Sequence, residues 1–163
     1  MPIATSDLTH TLNFLKGNNS DYPLNLENVI VTGFSAGAHI ATNIGLSQNN
    51  LEFPKTLNQG ITITGIINFS GSVDRQIVIE KTFIDSDIEA LSTLGKALFP
   101  SEGYEEEGVY AVYETITYFD KKDPPLFFWQ GGMDDQILPE TYDALISLLS
   151  KNKDVHMFVS NGR

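Results

Sequence analysis

The stretch Asn28-Val29-Ile30-Val31-Thr32, followed by Gly33-Phe34-Ser35-Ala36-Gly37 and an alanine-rich run from Ala38 to Leu46, constrains the fold more than any other part of the chain. A short apolar strand that runs through G-x-S-x-G into a helix is the context of a nucleophile elbow. The residue types fit that geometry. Gly33 and Gly37 are expected to remove Cβ clashes with neighbouring backbone, with Phe34 between strand and turn and Ser35 strained so that its Oγ is exposed. Ala36 supplies the next backbone N–H, at the positive end of the new helix, where an oxyanion would be stabilised.

Strands and helices alternate along the rest of the chain. Ser6 is expected to cap a helix from Asp7 to about Lys16, with Leu8, Leu12 and Leu15 on one face, and Gly17-Asn18-Asn19 stops it. Strands are read at Asn28–Thr32, at the β-branched run Ile61–Phe69, at Leu126–Trp129 behind Asp123-Pro124-Pro125, and at Val155–Val159. Helices are read from Ser86 to Leu98, over Glu105–Tyr118, and from Pro139 to about Leu149 with Leu145, Leu148 and Leu149 inward. Four buried strands separated by helices imply right-handed βαβ crossovers and an α/β fold, three-layer α/β/α around a parallel sheet. A chain of 163 residues with 41% hydrophobic content is one domain, here 1–163, within which about 73–122 reads as an insertion capping or lining a pocket.

Charge and composition narrow the partners. A net charge of −11 without any basic stripe argues against nucleic acid and anionic membrane surfaces. There is no cysteine, hence no disulfide or thiolate metal site. No G-x-G-x-x-G, phosphate loop or metal-spaced His/carboxylate set occurs, so no cofactor is expected. The N-terminal residues carry neither a basic nor an apolar targeting region, and no run reaches the roughly 18 apolar residues of a membrane span, which predicts a cytoplasmic protein.

Two motifs give the chain a family likeness. Gly33-Phe34-Ser35-Ala36-Gly37-Ala38-His39 is similar to the G-x-S-A-G-x-x form, and Gln130-Gly131-Gly132-Met133-Asp134-Asp135-Gln136-Ile137-Leu138-Pro139 to a strand ending in H-G-x-x-D-x-x-V-P. In both, the chain resembles the α/β-hydrolase fold, and within it the esterase/lipase branch that includes hormone-sensitive lipase, feruloyl and acetyl esterases and kynurenine formamidase. The resemblance implies a carboxylic ester hydrolase with Ser35 as nucleophile, the Ala36 N–H in the oxyanion hole, and a small-molecule ester as substrate. Aligned on Pro139, the family's acid falls on Asp135, with Asp134 and Asp74 as rivals. The order Ser, Asp, His expected of the family leaves the last place open.

No histidine follows the last strand. His10 lies in the first helix, His39 four residues past Ser35 on the helix the elbow launches, and His156 inside the last strand. An H-G-G-G-like loop, which would bring a second oxyanion donor, does not precede Gly33 either. Both gaps are expected if the sequence is an internal piece of a longer esterase, the C-terminal half of the fold in strand content. An exposed strand at Asn28–Thr32 would then favour a homodimer through the sheet edge. Two other readings stay open, a peptidase of the prolyl-oligopeptidase type and a pseudohydrolase that binds without turnover. Ala38, where the peptidases usually carry a second Gly, favours the esterase.

Overall fold

The structure, a computed structural model, describes residues 2–50, 53, 57–74, 79–98, 114–149 and 155–160. Four strands form its centre: β1 (Val29–Phe34), β2 (Ile63–Phe69), β3 (Leu126–Gly131) and β4 (Val155–Ser160). All three pairings are parallel and the order across the sheet is the order in the chain, so each strand is laid beside its predecessor. A parallel sheet built this way puts every strand's carboxyl end on one edge, the position where ligand sites of open α/β sheets lie.

Beyond a register shift at Val29/Ile30, which leaves Ile63 and Ile66 both in the core, the strands alternate between two faces. Val31, Ile66, Leu126 and Phe128 point to one of them and are buried. Against them pack Leu12 of α1 (Pro2–Gly17), Ala41 and Ile44 of α2 (Ala36–Ser47), and Leu145 of α4 (Asp143–Leu149), in one continuous core. The other face carries Ile30, Thr32 and Phe34 of β1, then Gly65, Ile67 and Phe69, Phe127 and Trp129, and His156 and Phe158, none of them buried. α3 (Glu89–Leu98) packs on a π-helical turn, Ile79–Ile84, where Gly95 lies against Phe83.

The four strands fall where the apolar runs predict them, each with an end moved by one or two residues. The C-terminal ends of the helices read at about Lys16, Leu98 and about Leu149 also fall within a residue of expectation, but their starts do not. The first helix begins at Pro2, so Ser6 lies inside it rather than capping it, while Leu8, Leu12 and Leu15 do line its core side. The helix read from Ser86 starts at Glu89, and the one read from Pro139 opens as a 3-10 turn, Pro139–Tyr142, before α4. Of the helix read at Glu105–Tyr118, residues 105–113 lie outside the described ones and Thr115–Tyr118 is a 3-10 turn. The side chains of Leu148 and Leu149 also lie outside those described.

Candidate active site

Ser35 sits between β1 and α2 at φ 53° and ψ −124°, a left-handed conformation that costs a non-glycine residue of order 1–3 kcal/mol. Three backbone hydrogen bonds hold it there. Its N–H donates to the Phe69 carbonyl at 2.9 Å, and its carbonyl accepts from the Ala38 and His39 N–H groups at 3.0 and 3.1 Å. The hydroxyl makes no capping bond to the helix it precedes, although serine is a favoured cap. Ser35 is half-buried and Ala36 beside it exposed. As the first residue of α2, Ala36 has an N–H with no intrahelical acceptor, at the positive end of the helix dipole.

The turn is tight on one side only. A Cβ on Gly33 would stand 2.4 Å from the carbonyl carbon and oxygen of Gly37, so only glycine fits. A Cβ on Gly37 would meet nothing within 4 Å, which corrects the expectation that both glycines relieve a clash. Gly37 lies on the exposed side of the first helical turn, away from the backbone it was expected to touch. The second close approach comes from Gly71, whose added Cβ would stand 2.4 Å from the Ala38 side chain. Gly71 follows β2, and Asn68 fixes it by accepting its N–H at 2.7 Å while donating to Thr42 Oγ1 at 2.8 Å.

Past the end of β3, two strand spacings or about 10 Å across the sheet from β1, the two adjacent aspartates differ sharply. Asp134 Oδ1 accepts the backbone N–H groups of Gln136 and Ile137 at 3.0 and 2.9 Å, and its Oδ2 accepts Gln130 Nε2 at 3.0 Å. Asp135 is exposed. Gln130, buried on the helix-covered face, in turn accepts the hydroxyl of Tyr142, whose ring stands edge-on to Phe128 with centroids 5.2 Å apart. Burial pushes the Tyr142 phenol above its ordinary pKa, so it remains a donor. Gln130 and Tyr142 escaped sequence reasoning. Aligning the second motif on its glycine instead of its proline puts Gln130 on the family's His and Asp134 on its acid, and was the signal available.

The other residues singled out in the sequence scatter. Asp74 follows β2, where its carbonyl accepts the Ser72 hydroxyl at 2.7 Å. His39 is buried, with Nδ1 2.9 Å from the Ser72 carbonyl oxygen and 3.4 Å from Thr115 Oγ1, so its ring serves the loop after β2. His10 is exposed on α1, and His156 is exposed on β4, paired across the sheet with Phe127. From the segment 73–122, Thr82 donates its hydroxyl to the Gln136 carbonyl and so leans the π-helical turn against the Asp134 loop. A cavity of about 470 Å³, lined by Leu46, Asn49, Asn50 and Thr117–Asp120, lies at the far end of α2 from Ser35. Among the described residues no cluster of His, Cys, Asp or Glu has the geometry of a metal site, and no helix is long and apolar enough to cross a membrane.

Solved structures share this fold. Esterase B from Lactobacillus rhamnosis superposes with a TM-score of 0.69 at 16% identity, over 96% of this chain and 48% of its own. A truncated carbohydrate esterase from gut microbiota gives 0.70 at 15% identity over 95% and 58%, and a carboxylesterase from Lactobacillus plantarum WCFS1 gives 0.65 at 16% over 96% and 53%. The fold is therefore that of the α/β-hydrolase esterases, and the chain spans about half the length of these relatives. Residues 1–149 match the BD-FAE family model, and the chain belongs to the BD-FAE family. No curated protein matches it in sequence.

Proposed function

We propose that this chain carries the nucleophile and the acid of a serine carboxylic-ester hydrolase. The observation that carries the reading is the conformation of Ser35, held left-handed at the carboxyl end of a parallel strand with its hydroxyl uncommitted to the helix that follows. Strain of this kind persists where surrounding structure enforces it, and here Gly33 and the Phe69 carbonyl do so.

In the reaction, Ser35 Oγ attacks the ester carbonyl carbon while an imidazole takes its proton, and the Ala36 N–H bonds the oxyanion that develops. The imidazolium returns the proton to the leaving alcohol, and water then repeats the sequence on acyl-Ser35 to release the acid. Asp134, rather than Asp135, takes the acid's part. Three donors already fix its carboxylate, and Oδ2 keeps a lone pair for an imidazole N–H. None of His10, His39 and His156 is placed to be the base, so the reading requires an imidazole beside Asp134 that is none of these three. The similar solved structures are of an esterase and a carboxylesterase, which favours esters over peptides.

Covalent capture by a fluorophosphonate probe tests the reading in the full-length protein. Labelling is expected to vanish in Ser35→Ala and to slow far more in Asp134→Asn than in Asp135→Asn. Labelling that survives Ser35→Ala, or none in a folded sample, overturns it. Equal effects of the two aspartate variants would return the acid's role to the sequence alignment.

A further inference from the structure

Asp134 is held from inside the core as well as from its own loop. The N–H groups of Gln136 and Ile137 converge on a single atom, Oδ1, and by themselves leave the carboxylate free to turn about it. Gln130 is the second point of support: its Nε2 donates to Oδ2 at 3.0 Å and lies 3.3 Å from the carbonyl oxygens of Gly131 and Ile137. Two oxygens gripped from two directions, one by a turn and one by a strand, set the plane of the carboxylate.

The amide has one possible orientation. An ionised carboxylate and backbone carbonyls accept and never donate, so Nε2 faces them, Oε1 faces Tyr142, and the phenol must be the donor. Both Gln130 and Tyr142 are buried, so the direction of this chain of bonds is dictated by its own members. Burial raises the Tyr142 phenol above its ordinary pKa, and an amide has no proton to lose near neutrality.

We propose that Gln130 and Tyr142 are positioning residues of the hydrolase reaction: Tyr142 orients the Gln130 amide, and the amide turns the Asp134 carboxylate so that the remaining Oδ2 lone pair meets the imidazole N–H. The assignment rests on the reading of Asp134 as the acid. Neither residue touches the ester. Their effect on rate comes through alignment, where a displacement of about 1 Å is enough to cost about a hundredfold.

The rate of fluorophosphonate capture in the full-length protein, measured between about pH 5 and about pH 9, tests the assignment. Gln130→Glu keeps size and shape. While protonated, the new carboxyl donates to Asp134 and accepts from Tyr142 as the amide does; once ionised, it sets a second negative charge against Asp134. Capture relative to the unsubstituted protein is expected to stay within about threefold at the acid end and to drop at least about tenfold further at the alkaline end. Tyr142→Phe, which keeps the ring against Phe128, is expected to slow capture about threefold or more. Ile63→Val, a buried change on β2 that weakens packing alone, is expected to leave the rate unchanged. Far-UV circular dichroism at each pH checks that the variants are folded, and should Gln130→Glu fail to fold, Tyr142→Phe decides alone. A rate ratio for Gln130→Glu that is flat with pH, an unslowed Tyr142→Phe, or equal slowing in Ile63→Val overturns the inference while leaving Ser35-dependent capture, and so the hydrolase reading, intact. Capture that survives Ser35→Ala overturns that reading and this inference with it.

Discussion

The carbonyl of Gly37 occupies the place a side chain on Gly33 would need, 2.4 Å from its Cβ position. One glycine of the motif is thus a steric requirement, and the other is not. Gly33→Ala should lower unfolding free energy by at least about 2 kcal/mol, because backbone cannot give way as a flexible side chain can. Gly37→Ala, in the first turn of a helix with open space around it, should raise it by about 0.5 kcal/mol. Urea melts of the two variants check the opposite signs.

Strain at Ser35 predicts a trade between stability and reactivity. Glycine accepts φ 53° freely, so Ser35→Gly should stabilise the fold by about 1 kcal/mol while abolishing fluorophosphonate capture. An unchanged or lower melting midpoint would show that the conformation costs nothing here.

The line from Tyr142 through Gln130 to Asp134 predicts non-additive losses. Gln130→Leu leaves a buried phenol and a carboxylate oxygen each short of a partner, and should cost about 2 kcal/mol; Tyr142→Phe should cost about 1 kcal/mol. The double variant should lose less than the sum, since the first change already removes what the second breaks. Additive losses in denaturant melts would mean the two bonds act independently.

Asp123 predicts a pH dependence. Burial pushes its carboxyl up to about 7, against the bond it accepts from the Asp120 N–H at 2.6 Å, and Oδ1 is buried with no hydrogen-bond partner. A carboxyl that titrates higher folded than unfolded holds more protons in the folded state, so stability should fall as pH rises from about 4 to about 7. Asp123→Asn should flatten that slope, and a slope identical to the unsubstituted chain would place its cause elsewhere.

Much of this fold is legible in the sequence, for physical reasons. Each strand is a run dominated by apolar and β-branched residues, and Ile61–Phe69 or Leu126–Trp129 has few other ways to be buried. Ser35 is legible because glycines, strand and helix must coincide around it. Helix starts were less so: the expected cap at Ser6 competes with four further helical residues upstream, and propensity alone does not decide between them. The choice of acid is hard to read because Asp134 and Asp135 are chemically identical in sequence. Only the backbone turn at Gln136 and Ile137 and the side chain of Gln130 tell them apart. Gln130 itself reads as an ordinary polar residue after an apolar strand until Tyr142, twelve residues later, is folded onto it.

Asn68 has a role beyond filling its place in β2. It grips Thr42 on α2 and the N–H of Gly71 at once, and Thr42 passes the contact on to the Ala38 carbonyl at 2.8 Å. Greasy surfaces of helix and sheet can slide past each other by fractions of an ångström at little cost, whereas a chain of directional bonds has one length. The height of the helix above the sheet is therefore set by a polar ruler, and the serine at its tip inherits that setting.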